Sequence, residues 1–130
     1  MSNILINIVD DDPIYGTTLQ KILNIKKYSN VKLYSSGEEC MNNLNEKPSL
    51  VILDFSLEGL NGLDVLKMIK SKQPKVKVVF LTSLNRDEEL IAKCKNEGAL
   101  EFFQKDEKGI EQLTNWVENN VKSGVFSLFK

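Results

Sequence analysis

The chain has 130 residues, 42% of them apolar and 27% charged, with a net charge of −1. That length suits one domain with one proper core, and the composition is that of an ordinary globular protein, which sets aside wholesale disorder. The near-zero charge argues against non-specific nucleic-acid binding, no apolar run approaches a membrane span, and the absence of histidine excludes imidazole catalysis, histidine metal sites and Ser-His-Asp triads within the chain.

Cys40 and Cys94 show neither CxxC nor zinc spacing. They read as buried or half-buried thiols of a reduced, cytoplasmic protein. No basic segment precedes a long apolar stretch at the N-terminus, so no signal peptide is visible. Five lysines gather at Lys67, Lys70, Lys72, Lys75 and Lys77, a pattern read as a solvated helix face and loop.

Along the chain, strand and helix patterns alternate five times. Residues 3–9 predict a first strand, apolar enough to be buried on both faces although it carries Asn7. Asp12 stands as N-cap before Pro13, which suits a first helical turn, and Leu19, Ile22, Leu23 and Lys26 keep helical spacing over 13–26. A second strand is predicted at 31–34. Ser36, with Glu39 three residues on, predicts a capping box for a helix over 37–45.

The third strand is predicted at 50–54, followed by a loop with Gly59 and Gly62 available for positive φ. A helix over 62–72 turns Leu63, Leu66 and Ile69 inward, and the fourth strand runs 76–82. Asn85 or Asp87 caps a helix that faces Leu90, Ile91 and Cys94 inward and ends at Gly98 as a C′ glycine. A short fifth strand at 101–104 and a helix over 108–122, with Ile110, Leu113, Val117 and Val121 as its stripe, complete the pattern. Such alternation predicts an α/β fold, a doubly wound parallel sheet with helices on both faces.

The chemistry collects where strands end. The first strand runs into Asp10-Asp11-Asp12, the third stops at Asp54, the fourth at Thr82-Ser83 and the fifth at Lys105. In a parallel sheet those carboxyl ends lie side by side in one crevice. Crowded carboxylates repel one another unless a divalent cation or a lysine neutralises them, so the crevice asks for Mg²⁺ and an anionic substrate, with phosphate leading. One aspartate suffices for a helix cap. Asp12 takes that role and Asp10 and Asp11 read as metal-site residues. Taken singly, Thr82 is an ordinary strand-end residue and Lys105 an ordinary surface lysine; their joint occurrence carries the argument.

Over residues 3–122 the chain resembles the receiver domains of two-component response regulators. The resemblance rests on Ile8-Val9-Asp10-Asp11-Asp12-Pro13, on Leu53-Asp54 with Gly62 eight residues later, on Leu81-Thr82-Ser83, on Gly98-Ala99 and on Lys105. Ser36-Gly37-Glu38-Glu39 also looks like the start of that family's second helix. It implies a flavodoxin-like strand order, 2-1-3-4-5, and a receiver domain over 1–123 followed by an apolar tail over 124–130, for which docking on its own domain ranks first.

The resemblance further implies that Asp54 is the phosphoacceptor. Asp10, Asp11, Asp54 and the backbone carbonyl of Ser56 would bind Mg²⁺, while Lys105 and the Thr82 hydroxyl would bind phosphoryl oxygens. Thr82 and Phe102 would form the switch, and Ser56 and Leu84 would flank the attacking water. The phosphodonor would be a histidine kinase or phosphotransfer protein. The output would be an unknown partner protein or a phosphorylation-dependent homodimer, with no direct DNA binding and no membrane association. The chain departs from the family pattern at Glu58 and Asp106, where prolines are usual, at Asn61, and at Phe102, where tyrosine is common. Two rivals stay open: a degenerate receiver that binds partners without phosphate, and a haloacid-dehalogenase-type phosphatase suggested by the Asp-x-Asp spacing within Asp10-Asp11-Asp12.

Overall fold

The computed structural model describes residues 4–57, 61–83 and 85–121. Glu58, Leu84 and the 124–130 tail lie outside the described residues. The elements in chain order are β1 (Ile6–Val9), α1 (Pro13–Ile25), β2 (Val31–Tyr34), α2 (Gly37–Asn42), β3 (Leu50–Asp54), α3 (Gly62–Lys72), β4 (Lys77–Thr82), α4 (Glu88–Asn96), β5 (Glu101–Gln104) and α5 (Glu107–Asn120), with a 3₁₀ turn at Leu44–Glu46. The five strands form one sheet in the order β2-β1-β3-β4-β5, and every pairing is parallel. This is the α/β doubly wound sheet expected from the alternation, in the flavodoxin-like order that the resemblance implies.

The sheet separates two apolar layers. Ile6, Ile8, Leu50, Ile52, Val79 and Leu81 pack with Leu19 and Leu23 of α1 and Leu113 and Val117 of α5. On the opposite face Val9, Val51, Leu53, Val78 and Phe80 pack with Cys40 of α2, Val65, Leu66 and Ile69 of α3, and Cys94 of α4. Full burial of each large aliphatic side chain contributes about 1.5–3 kcal/mol, so the central strands β1, β3 and β4 anchor the domain.

Several boundaries differ from expectation. Regular pairing in β1 begins at Ile6, whose N–H donates to the Asn30 carbonyl; Ile4 and Leu5 are buried ahead of it. The second helix is shorter than 37–45. It stops at Asn42, the Asn43 amide donates to the Glu39 carbonyl at 2.8 Å, and the chain tightens into the 3₁₀ turn. Only half of the predicted capping box forms there. Ser36 Oγ accepts from Glu39 N–H at 3.1 Å, but the Glu39 carboxylate accepts from Ser35 N–H and Oγ, one residue too early.

The last helix starts at Glu107 and ends at Asn120, two residues short of 122. Lys70 is no solvated lysine: its ammonium donates to the Pro74 and Val76 carbonyls at 3.2 and 2.6 Å and ties off the end of α3. At the start of α3, Gly62 leaves no room for a side chain, since a Cβ there would lie 2.9 Å from Phe55 Cα. At the end of α4, Gly98 has φ +112; its N–H reaches the Lys95 carbonyl and the Ala99 N–H reaches Cys94, a Schellman closure.

Candidate functional site

The acidic triplet after β1 divides its labour. Asp12 Oδ1 accepts from the N–H groups of Ile14 and Tyr15 at 3.0 and 3.4 Å, so it is spent on capping α1. Asp10 is 1% exposed and its Oδ1 accepts from Asp12 N–H at 2.9 Å. Asp11 is exposed. Asp54 ends β3 at 4% exposure, and its Oδ1 accepts from Ser56 N–H at 3.0 Å.

Lys105 joins these groups. Its backbone N–H donates to the Thr82 carbonyl at 2.9 Å, extending the β4–β5 pairing by one bond. Its ammonium then lies 3.1 Å from Asp54 Oδ2 and 2.8 Å from Asp10 Oδ2. The second contact is an ion pair without good hydrogen-bond alignment, which leaves Asp10 Oδ2 poorly satisfied. Burial raises the Asp10 carboxyl above the ordinary carboxylate range, against the pull of Lys105 and the Asp12 N–H, and nearby Asp54 adds to the rise. Burial acts to lower the Lys105 ammonium, but its close contacts with the Asp10 and Asp54 carboxylates outweigh that and hold it above the ordinary lysine value. Lys105 is therefore charged at neutral pH.

Asp10, Asp11 and Asp54 each place one carboxylate oxygen within 4.8 Å of the others'. Three carboxylates with one ammonium in contact leave an excess of negative charge, and hard oxygen donors suit a small divalent cation. Receiver domains typically bind Mg²⁺ at an acidic pocket, and this donor set fits. Thr82, 7% exposed, ends β4 opposite Gln104. Ser83 beside it is exposed. Phe102 is half-buried and stacks on Phe80 at 4.9 Å between centroids, with Phe55 6.3 Å away.

Two departures from the family pattern find local roles. Asn61 caps α3, its side-chain oxygen accepting from Asp64 N–H at 2.9 Å. Asp106 caps α5, accepting from Gly109 N–H at 2.7 Å. Both are carboxylate or amide side chains at extended N-cap positions, where they satisfy an orphan helix donor.

The sequence reading missed two residues that shape the site. Tyr15 lies with its ring centroid 4.7 Å from Lys105 Nζ. Its phenol is held protonated by burial and by facing Asp10, Asp106 and Asp54. Gly109 allows α5 to close on the end of β5. A glycine inside a helical stripe was a signal for the second; nothing in the sequence pattern marked the first.

A parallel sheet with an acidic pocket and a bridging lysine at its carboxyl edge defines a class of α/β domains built around an anionic ligand. The model of one family, the response regulator receiver domain, matches residues 6–118, and the chain belongs to that family: it is a receiver domain of two-component response regulators. It is 29% identical over 123 residues to a cyclic di-GMP phosphodiesterase of Thermotoga maritima, a match covering 95% of this chain and 32% of that protein. Sporulation initiation phosphotransferase F of Bacillus subtilis is 29% identical over 105 residues, covering 81% of this chain and 84% of the relative. The crystal structure of the receiver domain of NtrX from Brucella abortus superposes with a TM-score of 0.77 at 26% identity, covering 88% of this chain and 95% of that one.

The chain spans about a third to a half of the length of the first curated relatives it matches. Family membership leaves neither the phosphatase nor the degenerate-receiver reading favoured. No helix among the described residues is long and apolar enough to cross a membrane.

Proposed function

We propose that Asp54 accepts a phosphoryl group from the phosphohistidine of a separate histidine kinase or phosphotransfer protein, and that the phosphorylated domain repacks a protein-binding surface. The single observation that carries this is the Asp54 carboxylate at a strand end, bonded to Lys105 and grouped with Asp10 and Asp11. In the transfer, an Asp54 carboxylate oxygen forms the new bond to phosphorus while the P–N bond breaks and its electron pair returns to the donor imidazole. The chain has no histidine, so the donor is another protein or another domain.

Asp10, Asp11, Asp54 and the Ser56 backbone carbonyl would hold Mg²⁺, which supplies positive charge beside the phosphoryl oxygens. Lys105 and the Thr82 hydroxyl contribute donors to the remaining phosphoryl oxygens. Asp54 releases Lys105 from neutralising a carboxylate to neutralising a phosphoryl group, so the lysine's contact changes partner rather than place. Residues 1–123 act as the receiver unit, with 124–130 as an appended tail, in the cytoplasm. The output partner is a protein surface or a second copy of the chain.

Intact mass after incubation with Mg²⁺ and acetyl phosphate tests the reading. One phosphoryl adduct on the wild type, retained in Asp12→Asn and lost in Asp54→Asn, supports it. Full labelling of Asp54→Asn, or no adduct on the wild type, overturns it.

A further inference from the structure

We propose that Tyr15 is a positioning residue for the chemistry at Asp54, its ring face keeping the Lys105 ammonium in the site when a divalent cation takes up the carboxylates that otherwise hold it. The proposal deepens the phosphoacceptor reading and rests on it.

Among the described residues, the Lys105 ammonium meets two carboxylate oxygens, Asp10 Oδ2 at 2.8 Å and Asp54 Oδ2 at 3.1 Å, and the Tyr15 ring, whose centroid is 4.7 Å away. The first two are made to the same residues that form the candidate cation site with Asp11. A dication placed among those oxygens competes for them and repels the ammonium directly, and the repulsion is strong because Asp10 and Asp54 are almost wholly buried. Without another anchor, Lys105 would swing towards solvent at the moment its charge is needed.

The ring is an anchor that the dication does not contest. Magnesium prefers hard oxygen ligands, whereas the face of an aromatic ring attracts an ammonium through its quadrupole within about 6 Å of the centroid. The ring is well placed for this. Tyr15 lies in the first turn of α1, where its N–H is one of the donors to the Asp12 cap, and its body packs against the core layer beneath α1. The acidic triplet thus sets both the cation ligands and the ring that faces their lysine.

The hydroxyl takes no part in this. Tyr15 Oη is buried and has no hydrogen-bond partner among the described residues, so the polar tip does not hold the ring in place. A buried hydroxyl without a partner is a cost that phenylalanine would not carry. The proposal therefore separates ring from hydroxyl: Tyr15→Phe preserves the function, and Tyr15→Leu, apolar but without a quadrupole, removes it.

The test combines lysine side-chain NMR with phosphorylation kinetics on the whole chain. In the wild type and Tyr15→Phe, the Lys105 ε-methylene protons are expected upfield of the other lysines, from the ring current, and to stay upfield at saturating Mg²⁺. In Tyr15→Leu the rate of labelling by acetyl phosphate at saturating Mg²⁺ is expected to fall about three- to tenfold, with half-saturating Mg²⁺ unchanged or lower because one competing cation is less firmly held. Collapse of the wild-type upfield shift on adding Mg²⁺ overturns the proposal, and so does wild-type labelling by Tyr15→Leu. If Tyr15→Leu does not fold, the Mg²⁺ dependence of the ring-current shift in the wild type and Tyr15→Phe decides alone. A wild type that shows the retained shift but takes no phosphoryl group refutes the phosphoacceptor reading instead, so the two failures are distinct.

Discussion

A Cβ on Gly109 would fall 1.8 Å from the Gln104 carbonyl oxygen, a separation no side chain can occupy. The first turn of α5 therefore touches the backbone of β5, and Lys105 is the residue next to that contact. Gly109→Ala must push α5 away and loosen the Asp106 cap, whose acceptor bonds Gly109 N–H at 2.7 Å. The expected cost is about 2–4 kcal/mol, from overpacking and a weakened cap together. Thermal unfolding measures the loss, and labelling by acetyl phosphate is expected to fall as well. An unchanged melting temperature would show that α5 moves freely at no cost.

Asp11→Asn removes the exposed carboxylate of the candidate cation site. Since Asp11 is not part of the core, the fold is expected intact. Mg²⁺ affinity, measured by calorimetric titration, is expected to drop about tenfold or more, because each charged ligand matters at a site that holds a well-hydrated ion. Equal affinity in the variant would move the ion away from Asp11.

The aromatic group Phe55–Phe80–Phe102 links the residue after Asp54 to β5. A cavity of about 80 Å³, lined in part by Phe55, Thr82, Phe102 and Leu90, adjoins it. Drawing the Thr82 hydroxyl towards a phosphoryl group would enlarge that space for Phe102, which also lines it, to enter. With beryllofluoride and Mg²⁺ as the phosphoryl stand-in, amide shifts are expected to spread from Thr82 through Phe80 and Phe102 to α4. Changes confined to the loops at Asp11, Asp54 and Lys105 would make Phe102 a fixed core residue.

Asn7 is wholly buried in β1, and neither the oxygen nor the nitrogen of its side-chain amide has a partner among the described residues. Asn7→Val removes two unsatisfied groups and adds a β-branched residue suited to a central strand. A gain of about 1–3 kcal/mol is expected from denaturant unfolding. A loss instead would reveal a bound water satisfying the amide.

Burial pushes the Cys40 thiol from 9.0 up to about 11. Between those values the unfolded chain gives up the thiol proton while the folded chain keeps it. Stability is then fully present below about pH 9 and falls as the pH rises to about 11, by roughly 2–3 kcal/mol in that window. Cys40→Ala is expected to flatten this limb, although it lowers stability at neutral pH through a small cavity. Parallel pH profiles of wild type and variant would deny the thiol any part in it.

Much of the fold was legible in the chain because its signals are local. Asp12 before Pro13, Asp87 before α4 and Gly98 after it are punctuation that a helix end requires wherever the helix sits. The apolar runs within 50–54 and 76–82 read as strands because both faces of a parallel sheet are covered. Where local signals competed, the reading slipped: α2 ended early, and Glu39 bonded Ser35 rather than Ser36.

By itself the sequence determined the order of elements and the residue types at the strand ends, since periodicity and strand termination depend on near neighbours. Only the tertiary structure decided how those types are used. It spent Asp12 on a helix, buried Asp10 and left Asp11 exposed, and it brought Lys105 to Asp54 across 51 residues. It also laid the Tyr15 ring beside that lysine. These are contacts between elements, set by sheet order and by close approaches such as Gly109 on Gln104, and no periodicity within one element encodes them.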